Sequence, residues 1–355
     1  MSSVCPIVAM EDSMPVELWD RAQWQEFSAA RPSPFFAQTQ WFEPTCRLMN
    51  AEPMYLALMS RSNPAFCVSL ARKKRLGQTL LLTPAIAPYS AWIENFPDDL
   101  APERREARRL EAMGEFAAWC EQHAAYCRIV LPPQVVDVRP FLWRGWRTEV
   151  RYTYKIPLEH GVHPVFRQNL RRNLRDAREA NLRTECLTGE HAHGALRETV
   201  AATFRRQGEA APLSAEAWDS YLALLSACNH VATVAVFGGN SVLATIAIGF
   251  DPPTATGAGQ SAYELIAGTT DEGIPVGASA LALCSAFEFA SGKVGEFDFA
   301  GANMETIAHY KRGFGGTLTP YLAVEWSRSR RASFVAKTAP AWKRKFRALL
   351  PKGSR

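Results

Sequence analysis

Four groups of residues in this chain have types and spacings that could do chemistry. Asp298 stands between Phe297 and Phe299, so on an extended strand its carboxyl points away from the face that the two rings share. There it could orient a reacting group or accept its proton. It could equally cap the turn at Gly301-Ala302-Asn303 or pair with Arg312. Further on, Lys311 lies in the run Tyr310-Lys311-Arg312-Gly313-Phe314-Gly315-Gly316. An ammonium held against a forming oxyanion in a dry site stabilises the transition state more than the ground state, whereas on a short surface helix the same side chain simply snorkels.

Gly277-Ala278-Ser279 falls where a strand gives way to a helix. A helix entered through small residues offers free N–H groups and a positive dipole end to an anion such as a pyrophosphate. The plainer reading is a glycine-entered helix with Ser279 as its cap, and Asp271 and Glu272 just upstream would repel a pyrophosphate. The fourth group is Arg167, Arg171, Arg175 and Arg178, at steps of four, four and three, with Arg172 and Arg183 nearby and only Asp176 and Glu179 to offset them. Such a stripe can grip phosphates bidentately or form the solvated face of an amphipathic helix. No G-x-S-x-G elbow and no cysteine with a plausible histidine partner stands out.

The elements that must position these groups follow from length and pattern. A chain of 355 residues, 47% hydrophobic and 21% charged, is a folded protein of about two domains. The start, Met1 to Met14, lacks a signal peptide's basic region and apolar run, and no stretch approaches a membrane span, so a cytoplasmic protein is expected. The eight cysteines are scattered among apolar neighbours without paired spacing, as buried reduced thiols are. His191 and His193 sit in a polar loop and His160 and His163 beside a proline. Neither pair has a ligand-spaced partner, and no metal is expected. The net charge of +5 is confined to the end of the chain: residues 328–355 carry ten Lys and Arg and no acid, leaving a net −5 elsewhere.

Two segments repeat one pattern of helices, hairpin, strand, helix and strand. In the first, Gln40–Met49 reads as a helix, Met54–Met59 as a strand, and Ala65–Ala71 with Thr79–Thr83 as a hairpin. Glu103–Ala125 then follows as a helix and Tyr126–Leu131 as a strand. In the second, Pro164 opens a helix carrying Phe166, Leu170, Leu174 and Ala177 on one face, and Trp218–Cys228 is a helix. Val231–Phe237 and Val242–Phe250 form a hairpin over Gly238-Gly239-Asn240, Ala262–Ala267 is a strand, Ala278–Ser291 a helix and Glu296–Phe299 a strand. Ala341–Leu350 reads as a basic amphipathic helix.

The segment from Tyr263 to Trp326, with its Phe297-Asp298-Phe299 strand and Tyr310-Lys311 followed by Phe314-Gly315-Gly316, resembles the FemAB-like, or BioF2-like, branch of the GNAT acyltransferases. The resemblance extends from about Pro34 to Trp326. It implies an α/β protein of tandem GNAT-like (acyl-CoA N-acyltransferase) domains with mixed sheets flanked by helices. The N-terminal domain, 1–150, would serve the acceptor, the C-terminal domain, 151–327, would be catalytic, and 328–355 would be a basic amphipathic tail. The boundary falls near Arg144 to Arg151. The implied activity is transfer of an activated acyl or aminoacyl group to a primary amine of a small molecule or cell-envelope precursor. No cofactor would be bound, and acyl-coenzyme A or aminoacyl-tRNA would be the co-substrate.

A cleft between the halves, reached by Tyr263, Asp298 and Lys311, would hold the reacting centre. Gly277, Ala278 and Ser279 would meet a coenzyme, and Arg167, Arg171 and Tyr310 the substrate. Where coenzyme A users of the superfamily place an Arg or Gln three residues before the glycine, this chain has Ile274. The expected partners are an amine acceptor, small or lipid-linked, tRNA, and the inner face of an anionic membrane through residues 328–355, but not DNA. A non-catalytic GNAT pair that binds an envelope precursor is the alternative.

Overall fold

The computed structural model describes residues 14–158, 166–207, 214–253 and 260–337. The chain begins with β1 (Val16–Trp19) and α1 (Arg21–Ala29), the latter started by a capping box in which Asp20 and Gln23 satisfy each other's backbone N–H groups. There follow α2 (Thr39–Leu48), β2 (Glu52–Ser60), β3 (Asn63–Arg75), β4 (Gln78–Leu82) and β5 (Trp92–Glu94). Next come α3 (Pro102–His123), β6 (Tyr126–Val130), α4 (Arg139–Trp143) and the long β7 (Arg147–Pro157). The rest of the chain contributes α5 (Gln168–Glu179), β8 (Arg183–Leu187), α6 (Gly189–Gln207), α7 (Ala215–Ala227), β9 (Val231–Gly238) and β10 (Ser241–Phe250). It closes with β11 (Ser261–Thr269), α8 (Ala278–Ala290), β12 (Glu296–Asp298), α9 (Glu305–Arg312), β13 (Thr317–Ser327) and α10 (Arg330–Lys337).

The thirteen strands among the described residues join one sheet, ordered β1-β2-β3-β4-β6-β13-β7-β12-β11-β10-β9-β8, with β5 on β3. The order is a near mirror about its middle. On one side β4 and β6 are parallel with α3 between them in sequence; on the other β11 and β12 are parallel with α8 between them. At the seam β7 and β13 pair antiparallel from Thr317↔Lys155 to Glu325↔Arg147, and each completes the ladder of the half on its own side. The mixed α/β fold with helices on both faces is as the resemblance implies, but its two halves share a single continuous sheet.

Helices cover both faces. One face carries two apolar layers, α3 and α4 over the first half and α8 with Phe297, Phe299 and Phe314 over the second. On the opposite face an aromatic layer crosses the seam, with Phe36 against Tyr263 and Tyr89 at ring-centroid distances of 4.8 and 5.9 Å. Each such ring removed from water contributes roughly 2–3 kcal/mol, so this layer holds the halves in register.

Several expectations change. His191 and His193 lie in the first turns of α6, not in a loop, and His193 reaches Asp219 of α7 at 3.1 Å. The helix packs Ala192, Leu196 and Val200 beneath it, an apolar spacing that the flanking polar residues concealed. Cys46, Cys67, Cys120, Cys127 and Cys228 are buried thiols, but Cys186 on the edge strand β8 is exposed. Cys5, His160, His163, Pro164 and Ala341–Leu350 lie outside the described residues. The described start of the basic tail is α10, which buries Ala332 and Val335 and pairs Lys337 with Glu325 at 2.6 Å.

Candidate functional site

The sheet register sets three chemically able side chains abreast on neighbouring strands. Tyr263 of β11 is opposite Asp298 of β12, and Asp298 is opposite Lys155 of β7. Because side chains alternate along a strand, Phe297 and Phe299 enter the apolar layer of α8 while Asp298 faces the other way. There a cleft of about 420 Å³ opens at the seam, lined by Asp298, Tyr263, Lys155, Asp251 and Glu296 from the second half and seam, and by Phe36, Tyr89 and Trp92 from the first.

Asp298 is 1% exposed. Its Oδ1 accepts from the Thr153 hydroxyl at 2.6 Å and the Ala300 N–H at 2.7 Å, and its Oδ2 accepts from the Tyr89 hydroxyl, across the seam, at 3.0 Å. Asp298 thus caps the chain one residue before the expected turn, at Ala300, while the Gly301 and Ala302 N–H groups go to Thr153 and Tyr152, and Arg312 meets His309 instead. Burial raises the Asp298 carboxyl above the usual carboxylate range, against the pull of Thr153 and Lys155. Asp251, at the exit of β10, is the second carboxylate of the cleft. It accepts from Phe35 N–H at 2.7 Å and Ser261 N–H at 2.8 Å, and from the Tyr263 hydroxyl at 3.3 Å. Burial pushes it up to about 7. The Tyr89 and Tyr263 phenols are raised by burial and by these carboxylates, so both are neutral donors. Lys155 is held by Glu296 at 2.7 Å.

Lys311 lies on the other side of the sheet. Its ammonium donates to the Phe299 and Gly301 carbonyls, each at 2.8 Å, and sits 3.2 Å from Glu264, an ion pair without the alignment of a directed hydrogen bond. It is not among the residues that line the cleft. Gly277 starts α8 with φ +67°, a left-handed conformation suited to glycine, and a Cβ there would collide with the Asn173 carbonyl of α5. Helix α5 thus lies against the entry formed by Gly277, Ala278 and Ser279. Tyr310 packs on Phe314 at 5.2 Å with Ser279 beside its hydroxyl.

On α5 itself Leu170 and Ala177 are buried, while Arg167, Arg171, Arg175 and Arg178 are all exposed. Arg175 meets Asp176 and Glu179 at 3.8 and 3.6 Å. Among the described residues no three His, Cys, Asp or Glu side chains converge as metal ligands. The structure therefore brings Tyr263 and Asp298 together and leaves Lys311, the α8 entry and the arginines elsewhere.

Sequence reasoning missed Asp251, Tyr89, Thr153 and Lys155. Asp251 had a signal, a lone acid closing the apolar run Val242–Phe250 before Pro252-Pro253; Tyr89 sits in an irregular segment and had none.

Among solved structures, FemX matches with a TM-score of 0.64 at 13% identity, over 88% of this chain and 97% of that one. The fold is FemAB-like. The C-terminal domain of a putative lysylphosphatidylglycerol synthetase from Agrobacterium fabrum shares it, with a TM-score of 0.56 at 10% identity over 89% of this chain and 94% of that chain. So does L-PGS from Bacillus licheniformis, at 0.56 and 11%, over 88% and 93%. No protein-family model matches the sequence, and no curated protein does. Within this FemAB-like fold no described helix is long and apolar enough to cross a membrane.

Proposed function

We propose that the seam cleft is an N-acyl transfer site, in which a primary amine attacks the carbonyl of an activated acyl or aminoacyl donor. The observation that carries the reading is the Asp298 carboxylate, buried, raised by burial and gripped from both halves, at the wall of a cleft large enough for a small amine and an acyl group. The C–N bond forms as the ester or thioester C–O or C–S bond breaks. Asp298 takes the amine proton, and the departing alkoxide or thiolate takes one up. A carboxylate with a raised pKa is a better base than one on the surface, and a positioned base contributes about 10²–10⁴-fold. Tyr89 and Tyr263 hold the two carboxylates in place.

The fold shared with lysylphosphatidylglycerol synthetases and FemX, together with the Fem-like segment, supports an aminoacyl-tRNA donor and an envelope or lipid acceptor. The closed α8 entry and Ile274 speak against coenzyme A. The alternative of a non-catalytic binder draws on Lys311, whose ammonium is held by two backbone carbonyls and an ion pair with Glu264.

Mass spectrometry of amine panels incubated with aminoacyl-tRNA or acyl-coenzyme A tests the reading. An N-acylated product that Asp298→Asn abolishes is the expected result. Tight amine binding with no product from either donor would favour the binder.

A further inference from the structure

Strands β11 and β12 pair in parallel only over Ser261–Tyr263 and Glu296–Asp298. Past that point the chain after β12 keeps its bonds to the seam, Phe299 N–H to the Tyr154 carbonyl at 3.0 Å and Ala302 N–H to the Tyr152 carbonyl at 2.7 Å. The Phe299 and Gly301 carbonyls are taken by the Lys311 ammonium, which is also beside Glu264 of β11. One side chain thus bridges the split in the sheet from the apolar face, 8% exposed.

Between those two carbonyls stands Ala300 with φ +54°, a left-handed conformation that a residue with a Cβ adopts only when its surroundings impose it. Its N–H is the one that holds Asp298 Oδ1. The next N–H, of Gly301, donates to Thr153 Oγ1 at 3.1 Å, and that hydroxyl donates to the same carboxylate oxygen.

We infer that Lys311 is a positioning residue: it staples the split between β11 and β12 and, through the Ala300 turn, aims Asp298 into the cleft. It does not touch the reacting carbonyl, because its ammonium is held by the Phe299 and Gly301 carbonyls and Glu264 and the residue does not line the cleft. The inference rests on the reading of Asp298 as the cleft's proton acceptor. Its structural half, the staple, stands or falls separately.

Hydrogen exchange by mass spectrometry over residues 296–303, measured beside kcat and KM, tests both halves. Lys311→Met should speed exchange of this segment by about tenfold or more, as loss of local protection does, and lower kcat with KM held. Lys311→Arg, able to donate to both carbonyls, should recover protection and kcat together. Adding Ala300→Gly to Lys311→Met should recover part of each, since glycine takes positive φ freely. Glu264→Gln should show a smaller rise in exchange, and it carries the comparison if Lys311→Met does not fold. Wild-type protection in Lys311→Met, or in Glu264→Gln where that variant stands in, overturns the staple whatever turnover does. Lost protection with unchanged kcat overturns the positioning role. Absence of turnover in the wild type removes the reading of Asp298 and leaves the exchange result to decide the staple.

Discussion

The two faces of β12 handle buried charge in opposite ways. On the apolar side, Lys311 has its ammonium beside two carbonyls and a carboxylate, so desolvation is offset by two hydrogen bonds and an ion pair, and the residue does not line the cleft. On the cleft side, Asp298 and Asp251 accept from neutral phenols, a hydroxyl and backbone N–H groups, with Lys155 already engaged by Glu296, and burial pushes both acids upward. A charge matched on every side supports structure. An acid held at raised pKa beside an open volume is suited to exchange protons. The lesson is that the conspicuous lysine and the conspicuous aspartate of one sequence segment are separated by a single layer of strand.

The largest effect should come from breaking the matched side. Lys311→Met leaves Glu264 unpaired and should cost about 3–5 kcal/mol in urea unfolding, and Lys311→Met with Glu264→Gln should recover part of that. A loss under about 1 kcal/mol would make the lysine a snorkelling side chain.

The cleft side should show itself in pH dependence. Asp251 rises from 3.8 to about 7 on folding. An acid whose folded pKa is raised favours the fold while protonated, so its contribution is full below about pH 4 and is lost as pH rises through about 7, a change of about 4 kcal/mol. Wild-type stability should therefore fall relative to Asp251→Asn across that window. Parallel curves would place Asp251 in contact with water and weaken the contrast.

Next in size, Asp298→Asn should slow single-turnover transfer about 100-fold, close to 3 kcal/mol of barrier, with near-ultraviolet circular dichroism preserved. Undiminished turnover would remove the chemistry from the cleft. The smallest effect belongs to a third region, the exposed arginines of α5. Arg171→Glu should reduce the slope of log K against log salt for tRNA by about one unit if the residue meets a phosphate. An unchanged slope would leave α5 a solvated face.

Much of the frame was legible because it follows from local chemistry. The β9–β10 hairpin turns at Gly239-Asn240 with Gly239 at φ +60°, as the glycines require. Helix α8 runs from Ala278 and ends before Gly292, and the Phe297-Asp298-Phe299 alternation places rings and carboxyl on opposite faces. Helix α6 was missed because its apolar residues are alanines, threonines and a few aliphatics among charges, a weak periodic signal. The strand β8 was missed because an edge strand with four of its five side chains exposed has almost no buried face to reveal.

The sequence by itself determined many of the elements and the outward-facing carboxyl of Asp298, since these depend on neighbours a few residues apart, while Tyr263 came from the family resemblance. Only the tertiary structure decided what Asp298 meets. Tyr89 lies far away in the chain and reaches it because β13 inserts between β6 and β7 and joins the halves into one sheet. Likewise, the fate of Lys311 depends on where β11 and β12 part, a property of strand pairing that no local pattern encodes. Spacing along the chain specifies which face a side chain takes, but long-range pairing specifies which charges share that face, and the shared charges fix the chemistry.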